Sequence, residues 1–415
     1  MLQSKLFCKT KKEISAAKEP TSLILLLRGD FIERSLSGVY RFLPLGFRVL
    51  KKIEEIIREE MEKIGAQEVL LPALQNKKLW EETGRWKKID PPLFIFCDRH
   101  KKELALGPTH EEEIGDLVRK RVVSFKDLPL SLFQIQNKFR NEMRPTGGLL
   151  RTREFLMKDL YSFHKDKKDL ERFYKKVALA YKRIFKRCNL APLLVEASSG
   201  TIGGKISHEF MVPAEVGEDK ILICQNCDFR ANVEKYQKIR HCPKCKALLQ
   251  TVSAIEVAHI FMLEDEYSKK MKIFFQDKGG SLKPVQMGCY GIGLPRLMAT
   301  IVEKNHDQNG IIWPKEVSPF KIHLIALQGD DSKVLSETKK LYFELQKRKV
   351  EVLFDDRRDK SPGEKLVESD LLGIPIRVLI SRKLLSEKKI EIKKRDQKTI
   401  KKFNFKETIK YLENQ

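Results

Sequence analysis

Phe139-Arg140-Asn141-Glu142, a loop, and then Arg151-Thr152-Arg153-Glu154-Phe155 form the stretch on which the fold turns. On either side, residues 132–140 and 154–163 alternate in side-chain character with a period of two, and the connection holds Pro145, Gly147 and Gly148. This pattern predicts an antiparallel hairpin. Alternation puts Arg140 on the face of Gln134, Gln136 and Lys138, at a strand end where the loop begins. A guanidinium there can fork two oxygens of a phosphate or a carboxylate. A solvated, charged hairpin has the same periodicity, which does not separate the two.

Upstream, Val49, Ile53, Ile56, Ile57, Met61 and Ile64 follow the break Pro44-Leu45-Gly46 at helical spacing, so an amphipathic helix is expected over 48–64. Gly65 ends it, and residues 68–72 read as a strand closed by Pro72. Downstream, Leu170, Phe173, Tyr174, Val177, Tyr181, Ile184 and Phe185 mark one side of a helix over 168–188. After Trp313-Pro314 and Ser318-Pro319 the pattern becomes strand 322–326, helix 334–345, strand 350–354, helix 364–372 and strand 376–380. That alternation implies a small α/β domain with a largely parallel sheet, beginning near residue 317.

A chain of 415 residues is too long for one compact core, and 41% hydrophobic with 33% charged residues excludes a disordered chain. Lys and Arg number 81 against 57 Asp and Glu, a net charge of +24 that favours a polyanionic partner, nucleic acid first. Lys-rich chains are also often merely soluble. No run approaches the ~20 apolar residues of a membrane span, the stretch 23–27 being far too short, and the start has no secretory pattern. Eight cysteines, four of them in two C-x-x-C pairs, point to a reducing compartment, and a cytoplasmic protein without membrane association is expected.

The pairs are Cys224-Gln225-Asn226-Cys227 and Cys242-Pro243-Lys244-Cys245. Four thiolates at this separation suit a closed tetrahedral zinc site; the alternative is a set of free thiols in a remnant loop. Gly288-Cys289-Tyr290-Gly291-Ile292-Gly293-Leu294-Pro295-Arg296 has its glycines in the wrong order for a dinucleotide fingerprint, and Pro295 suits the first turn of a helix through Leu297, Met298 and Ile301. In Gly107-Pro108-Thr109-His110-Glu111-Glu112-Glu113, Thr109 and Glu112 have capping-box spacing, and the same loop offers acceptors to a cationic amine.

Together these segments resemble the class II aminoacyl-tRNA synthetases, and the prolyl-specific family among them, over nearly the whole chain. The hairpin resembles the second class II motif, and Met157-Lys158-Asp159-Leu160-Tyr161-Ser162-Phe163-His164 its bacterial prolyl form. The segment 288–296 resembles the third motif, with Leu294-Pro295 departing slightly from the usual residues before the arginine. The helix, strand and Pro72 resemble the first, a dimer element. Gly38-Val39-Tyr40, Leu43-Pro44-Leu45-Gly46 and Leu79-Trp80-Glu81-Glu82-Thr83-Gly84-Arg85-Trp86 also resemble prolyl enzymes.

The resemblance implies an α+β catalytic domain on an antiparallel sheet followed by an α/β anticodon-binding domain. The expected division is 1–220 and 253–317 for the catalytic domain, 221–252 for a Cys-rich insertion and 318–415 for the anticodon-binding domain. It implies an ATP-dependent ligase of proline and tRNA(Pro), using Mg²⁺, with structural zinc at Cys224, Cys227, Cys242 and Cys245, and a homodimer. By resemblance Arg140 and Arg296 are catalytic, and ATP meets Arg140, Glu142, Arg151, Phe155 and Arg296. Proline meets Thr109, Glu111, Arg140, Met157 and His208, the last within the glycine-rich segment 203–210, and the anticodon meets Asp356 and Arg357. Residues 364–369 depart from the family pattern. The short Cys-rich segment stands where bacterial prolyl enzymes often carry a large editing domain, so no editing in cis is expected. A non-catalytic relative would have lost the phosphate-binding arginines, and all three are present.

Overall fold

The computed structural model describes residues 1–14, 19–237 and 239–414. The chain divides into two compact units, Arg34–Tyr40 with Ile53–Thr300, and Met1–Glu33 with Arg41–Lys52 and Ile301–Gln415.

The first unit is built on a nine-stranded sheet. From edge to edge its strands are Ile206–Pro213, Leu193–Glu196, Arg230–Asn232, Asp219–Cys224, Leu249–Glu264, Gln286–Gly293, Glu154–His164, Leu130–Phe139 and Gln67–Glu68. The expected hairpin forms the centre of one half: Leu130–Phe139 pairs antiparallel with Glu154–His164, Phe139 opposite Glu154 and Leu130 opposite Phe163. Period-two alternation gives the Glu154–His164 strand two working faces. Phe155, Met157 and Asp159 border a cavity, whereas buried Lys158 donates to Tyr181 Oη and the Tyr290 carbonyl beneath the helix Lys167–Arg187. That helix is capped by Asp166, whose side chain accepts from the Asp169 amide, and buries the apolar side read from the sequence.

The strand expected over 68–72 is shorter than its composition suggests. Only Gln67–Glu68 joins the ladder, parallel to Leu132 and Phe133. Val69 N still donates to Phe133 O at 2.8 Å, and after it side chains replace the backbone partners: Leu71 N donates to Gln134 Oε1 at 3.0 Å, and Gln136 Nε2 donates to Leu71 O at 3.0 Å.

In the second unit, Ile322–Ala326, Val352–Asp355 and Ile376–Ile380 are parallel, flanked by the helices Ser332–Lys347 and Pro362–Leu372. Ile390–Lys394 and Ile400–Phe403 extend this sheet antiparallel, beyond the elements read from sequence. The start of the chain, which the expected division assigns to the catalytic part, clusters with this unit: Met1–Glu33 groups with Ile301–Gln415. The Met1 ammonium donates to Val352 O at 2.9 Å and Tyr342 Oη at 2.8 Å, and Gln3 Oε1 meets His323 Nε2 at 2.8 Å. Such pairings across the chain leave no local periodicity to read.

Candidate active site

A cavity of about 230 Å³ opens on one face of the nine-stranded sheet. Thr109, Glu111, Arg140, Glu142, Arg151, Phe155, Met157 and Arg296 all line it, so eight residues selected from distant segments meet in one place. The hairpin delivers Arg140 and Phe155 from opposite strands, and the Arg140 Cζ lies 5.1 Å from the Phe155 ring centroid. The Gln286–Gly293 strand runs into the helix Leu294–Lys304, whose first turn presents Arg296. Gly291 suits its position: a Cβ there would lie 3.6 Å from Met157 Sδ, in the space the cavity occupies.

The three arginines are in different electrostatic states. Arg296 donates to Leu150 O at 2.8 Å and to Glu256 Oε2 at 2.8 Å. Arg151 holds Glu142 Oε2 at 2.8 Å and reaches Glu218 at 3.2 Å. Arg140 makes no side-chain hydrogen bond or ion pair among the described residues. Burial and the neighbouring Arg296 pull its basicity below the usual guanidinium range. A cation in that state is poised for an anion the chain does not supply. Burial alone would raise Glu256, but the His259 hydrogen bond and the charges of Arg296 and Arg140 hold it well below the usual carboxylate range. Glu209, facing it, is raised to about 8 by burial and by the Glu256 charge.

At the other end of the cavity, Glu111 is fully buried and opens the helix Glu111–Arg119. Its Oε2 accepts from Thr109 Oγ1 at 2.7 Å, and its Oε1 from the Cys289 thiol at 3.1 Å. The capping box expected from Thr109 and Glu112 is not formed, since the helix cap is His110 with no side-chain cap bond. Glu112 instead accepts from Thr83 Oγ1 at 2.7 Å. Behind the wall, Lys138 Nζ lies 2.7 Å from Asp159 and donates to His110 Nδ1 at 2.9 Å, while Tyr161 and Gln134 donate to Asp159 Oδ2. Sequence reasoning passed over Glu256, Asp159 and Arg85, which gain meaning only when remote strands are paired.

One expectation is corrected. His208 does not join the cavity: its Nδ1 lies 2.8 Å from Tyr174 Oη on the helix side of the sheet, the face that also carries Phe210 against Tyr181 and Phe185. Alternation from Phe210 was the signal that could have placed it. Asp356 and Arg357 are engaged within the chain. Arg357 is held by Asp355 at 2.9 and 2.7 Å and by Glu368 at 2.7 Å, and Asp356 accepts from the Ser4 amide and hydroxyl.

The four cysteines of the knuckle do converge. Cys224 Sγ lies 3.4 Å from Cys245 Sγ, Cys227 Sγ lies 3.5 Å from Cys242 Sγ, and all four sulfurs fall within 4.8 Å of one another. A tetrahedral site with Zn–S bonds of about 2.3 Å places its sulfurs roughly 3.8 Å apart, so the donor set fits zinc.

Three arginines gathered in one cavity on an antiparallel sheet, with a separate α/β unit after it in the sequence, are the layout of a class II aminoacyl-tRNA synthetase. Comparison agrees: the family model described as the tRNA synthetase class II core domain (G, H, P, S and T) matches residues 94–305, and an anticodon binding domain matches 321–415. Curated relatives include proline–tRNA ligases of Ehrlichia canis, 42% identical over 414 residues and 96% of each chain, and of Persephonella marina, 36% identical over 545 residues, 95% of this chain and 96% of the other. The chain belongs to the proline–tRNA ligase family. Among solved structures, a Giardia lamblia prolyl-tRNA synthetase in complex with prolyl-adenylate superposes with a TM-score of 0.79 at 21% identity, over 94% of this chain and 77% of that one, a likeness of fold. The Persephonella marina alignment runs to 545 positions against 415 residues here, so more than a hundred positions of it face gaps; the Ehrlichia canis alignment needs no such allowance.

Proposed function

We propose that the chain activates proline with ATP to prolyl-adenylate and transfers it to the 3′ end of tRNA(Pro). The observation that carries this reading is the unpaired guanidinium of Arg140, in one cavity with the buried Glu111–Thr109 acceptor pair. In the first step the proline carboxylate attacks the α-phosphate and pyrophosphate leaves. Arg140 lies between the two anions and draws them together, while Arg151 and Arg296 take the outer phosphates once Glu218 and Glu256 yield them. Phe155 stacks under adenine, and Glu142 accepts from its amino group. Proline's ring nitrogen is a cationic secondary amine with two N–H donors, which Glu111 and the Thr109 hydroxyl receive, with Met157 as apolar wall. In the second step the terminal ribose hydroxyl of tRNA attacks the mixed anhydride. No side-chain nucleophile is needed.

Three side chains of the sheet would hold magnesium. Glu209, Glu256 and His259 bring their ligand atoms within 4.8 Å of one another, and carboxylate oxygens suit that hard ion. Bound there, it would supply positive charge to the phosphates. Zinc at the four cysteines is structural in this reading, fixing the knuckle that replaces an editing domain. Leu70, 76% exposed in the segment before Pro72, supports an apolar contact with a second copy of the chain. None of the eight cysteines is joined in a disulfide among the described residues, which supports a cytoplasmic location.

Pyrophosphate exchange measured with each of the twenty amino acids tests the proposal: exchange with proline well above the others is expected. Exchange with another amino acid in its place, or with none, would overturn it.

A further inference from the structure

Behind the Glu111 carboxylate lies a cation that the reaction as described does not use. Arg85 is 7% exposed, and its Nη1 lies 3.3 Å from Glu111 Oε2 and 2.9 and 3.1 Å from the two oxygens of Glu112. Its Cζ sits 5.1 Å from the Trp80 ring centroid and 5.5 Å from that of Tyr267. Both rings are themselves pinned. Trp80 Nε1 donates to Gln75 Oε1 at 2.8 Å, and Tyr267 Oη donates to the Ile202 carbonyl at 2.7 Å. The Arg85 Nε and Nη2 are buried without hydrogen-bond partners, so the guanidinium spends its hydrogen bonds on the two acids alone.

The charge count gives this arrangement a purpose. Glu111 and Glu112 are both fully buried, and two carboxylates against one guanidinium leave a single negative charge. The proline ring nitrogen carries a single positive one. We propose that Arg85 is a positioning residue that balances the charge of Glu112 and holds the Glu111 carboxylate aimed at the imino acid. This rests on Glu111 being the acceptor for proline, as read above.

The other groups facing Glu111 cannot take over the task. Thr109 and Cys289 are neutral donors, and burial pushes the Cys289 thiol, Tyr161 and Tyr267 well above their ordinary ranges. Lys138 is committed to Asp159 and His110, and Arg140 faces the anion site. His110 is pulled down to about 4 by burial and by Lys138, so it stays neutral near pH 7. Glu112 is raised by burial, against the opposing pull of Arg85, and Glu113 next to it is raised to about 7, again by burial. Glu113 is therefore the acid on this helix that changes charge near neutral pH, and Arg85 is the cation paired with the two acids before it.

The test is a charge cycle in proline-dependent pyrophosphate exchange, with KM for proline and for ATP measured separately between about pH 6.5 and 8.5. Arg85→Met is expected to raise KM for proline by roughly tenfold at neutral pH with KM for ATP moving less than about twofold, the deficit shrinking as pH rises and the shared proton leaves. Glu112→Gln alone cancels the remaining negative charge and is expected to raise KM for proline by about fivefold or more. The double variant R85M/E112Q restores the count and is expected to return to within about threefold of the starting enzyme. A parallel rise in both KM values, a deficit independent of pH, or a double variant no better than R85M would overturn the inference. Should R85M not fold, an unchanged KM for proline in E112Q overturns it alone. Absence of proline-dependent exchange in the unmodified protein would instead defeat the functional reading itself.

Discussion

The guanidinium of Arg140 rests over the ring of Phe155, 5.1 Å from its centroid, across the two strands of the central hairpin. The aromatic face fixes the direction of the charge without neutralising it. Replacing Arg140 by Ala should lower proline-dependent pyrophosphate exchange by roughly 10²- to 10³-fold or more, because a preorganised cation in a water-poor site is lost. Circular dichroism should remain that of the parent, since among the described residues no ion pair depends on this side chain. Retained exchange would remove Arg140 from the reaction.

Acid should weaken the fold through two buried histidines. His110 and His323 are each lowered from 6.5 to about 4, chiefly by burial. His110 Nδ1 accepts from Lys138 while Nε2 donates to Pro72 O, so a second ring proton would face an ammonium. The unfolded chain takes up protons near pH 6.5 and the folded one only near pH 4, so each histidine stabilises the fold above 6.5 and that stability drains away as pH falls toward 4. The slope is about 1.4 kcal/mol per pH unit per histidine. Urea unfolding at stepped pH reads it, and His323→Asn should flatten the slope by about one histidine's share.

Metal removal should be felt at the knuckle. With Cys224 and Cys242 buried and four sulfurs converging, the purified protein is expected to carry zinc, measurable by elemental analysis. Cys242→Ala should release it and lower the melting temperature, with exchange activity reduced less than stability. Metal-free protein of undiminished melting temperature would leave only free thiols.

Alanine, smaller than proline by little more than its ring carbons, should be excluded by only about 1–3 kcal/mol. Between Pro213 and Leu249 the chain holds two short strands and the cysteine knuckle among its described residues, with no hydrolytic domain. Alanyl-tRNA(Pro) incubated with the purified protein should therefore persist. Its rapid hydrolysis would reveal an editing site elsewhere in the chain.

Sequence legibility followed locality. The hairpin and the Lys167–Arg187 helix carry their periods within one segment, and the motif residues of the cavity sit at their ends. The Ile390–Lys394 strand was hidden because its buried residues Ile390 and Ile392 sit in a lysine-rich run that reads as charge. The long strand Leu249–Glu264 lies between partners on both sides and is irregular near Met262, which blurs its alternation. Arg85 could be read as part of a recognisable string, but not as the counterion of Glu111, because only the packing of Trp80 and Tyr267 brings them together.

The two faces of the Glu154–His164 strand impose a rule of parity on the gene. Phe155, Met157 and Asp159 stand opposite Lys138, Gln136 and Gln134, and Asp159 also stands opposite Gly291. Loss or gain of one codon inside this segment would turn Lys158 toward the substrate and Asp159 toward the apolar helix, exchanging the whole set at once. Codons can be added or removed more safely in the loop 143–147, between Glu142 and the Leu149–Thr152 segment that lines the cavity, so length variation among natural or laboratory variants should collect there and avoid the strand.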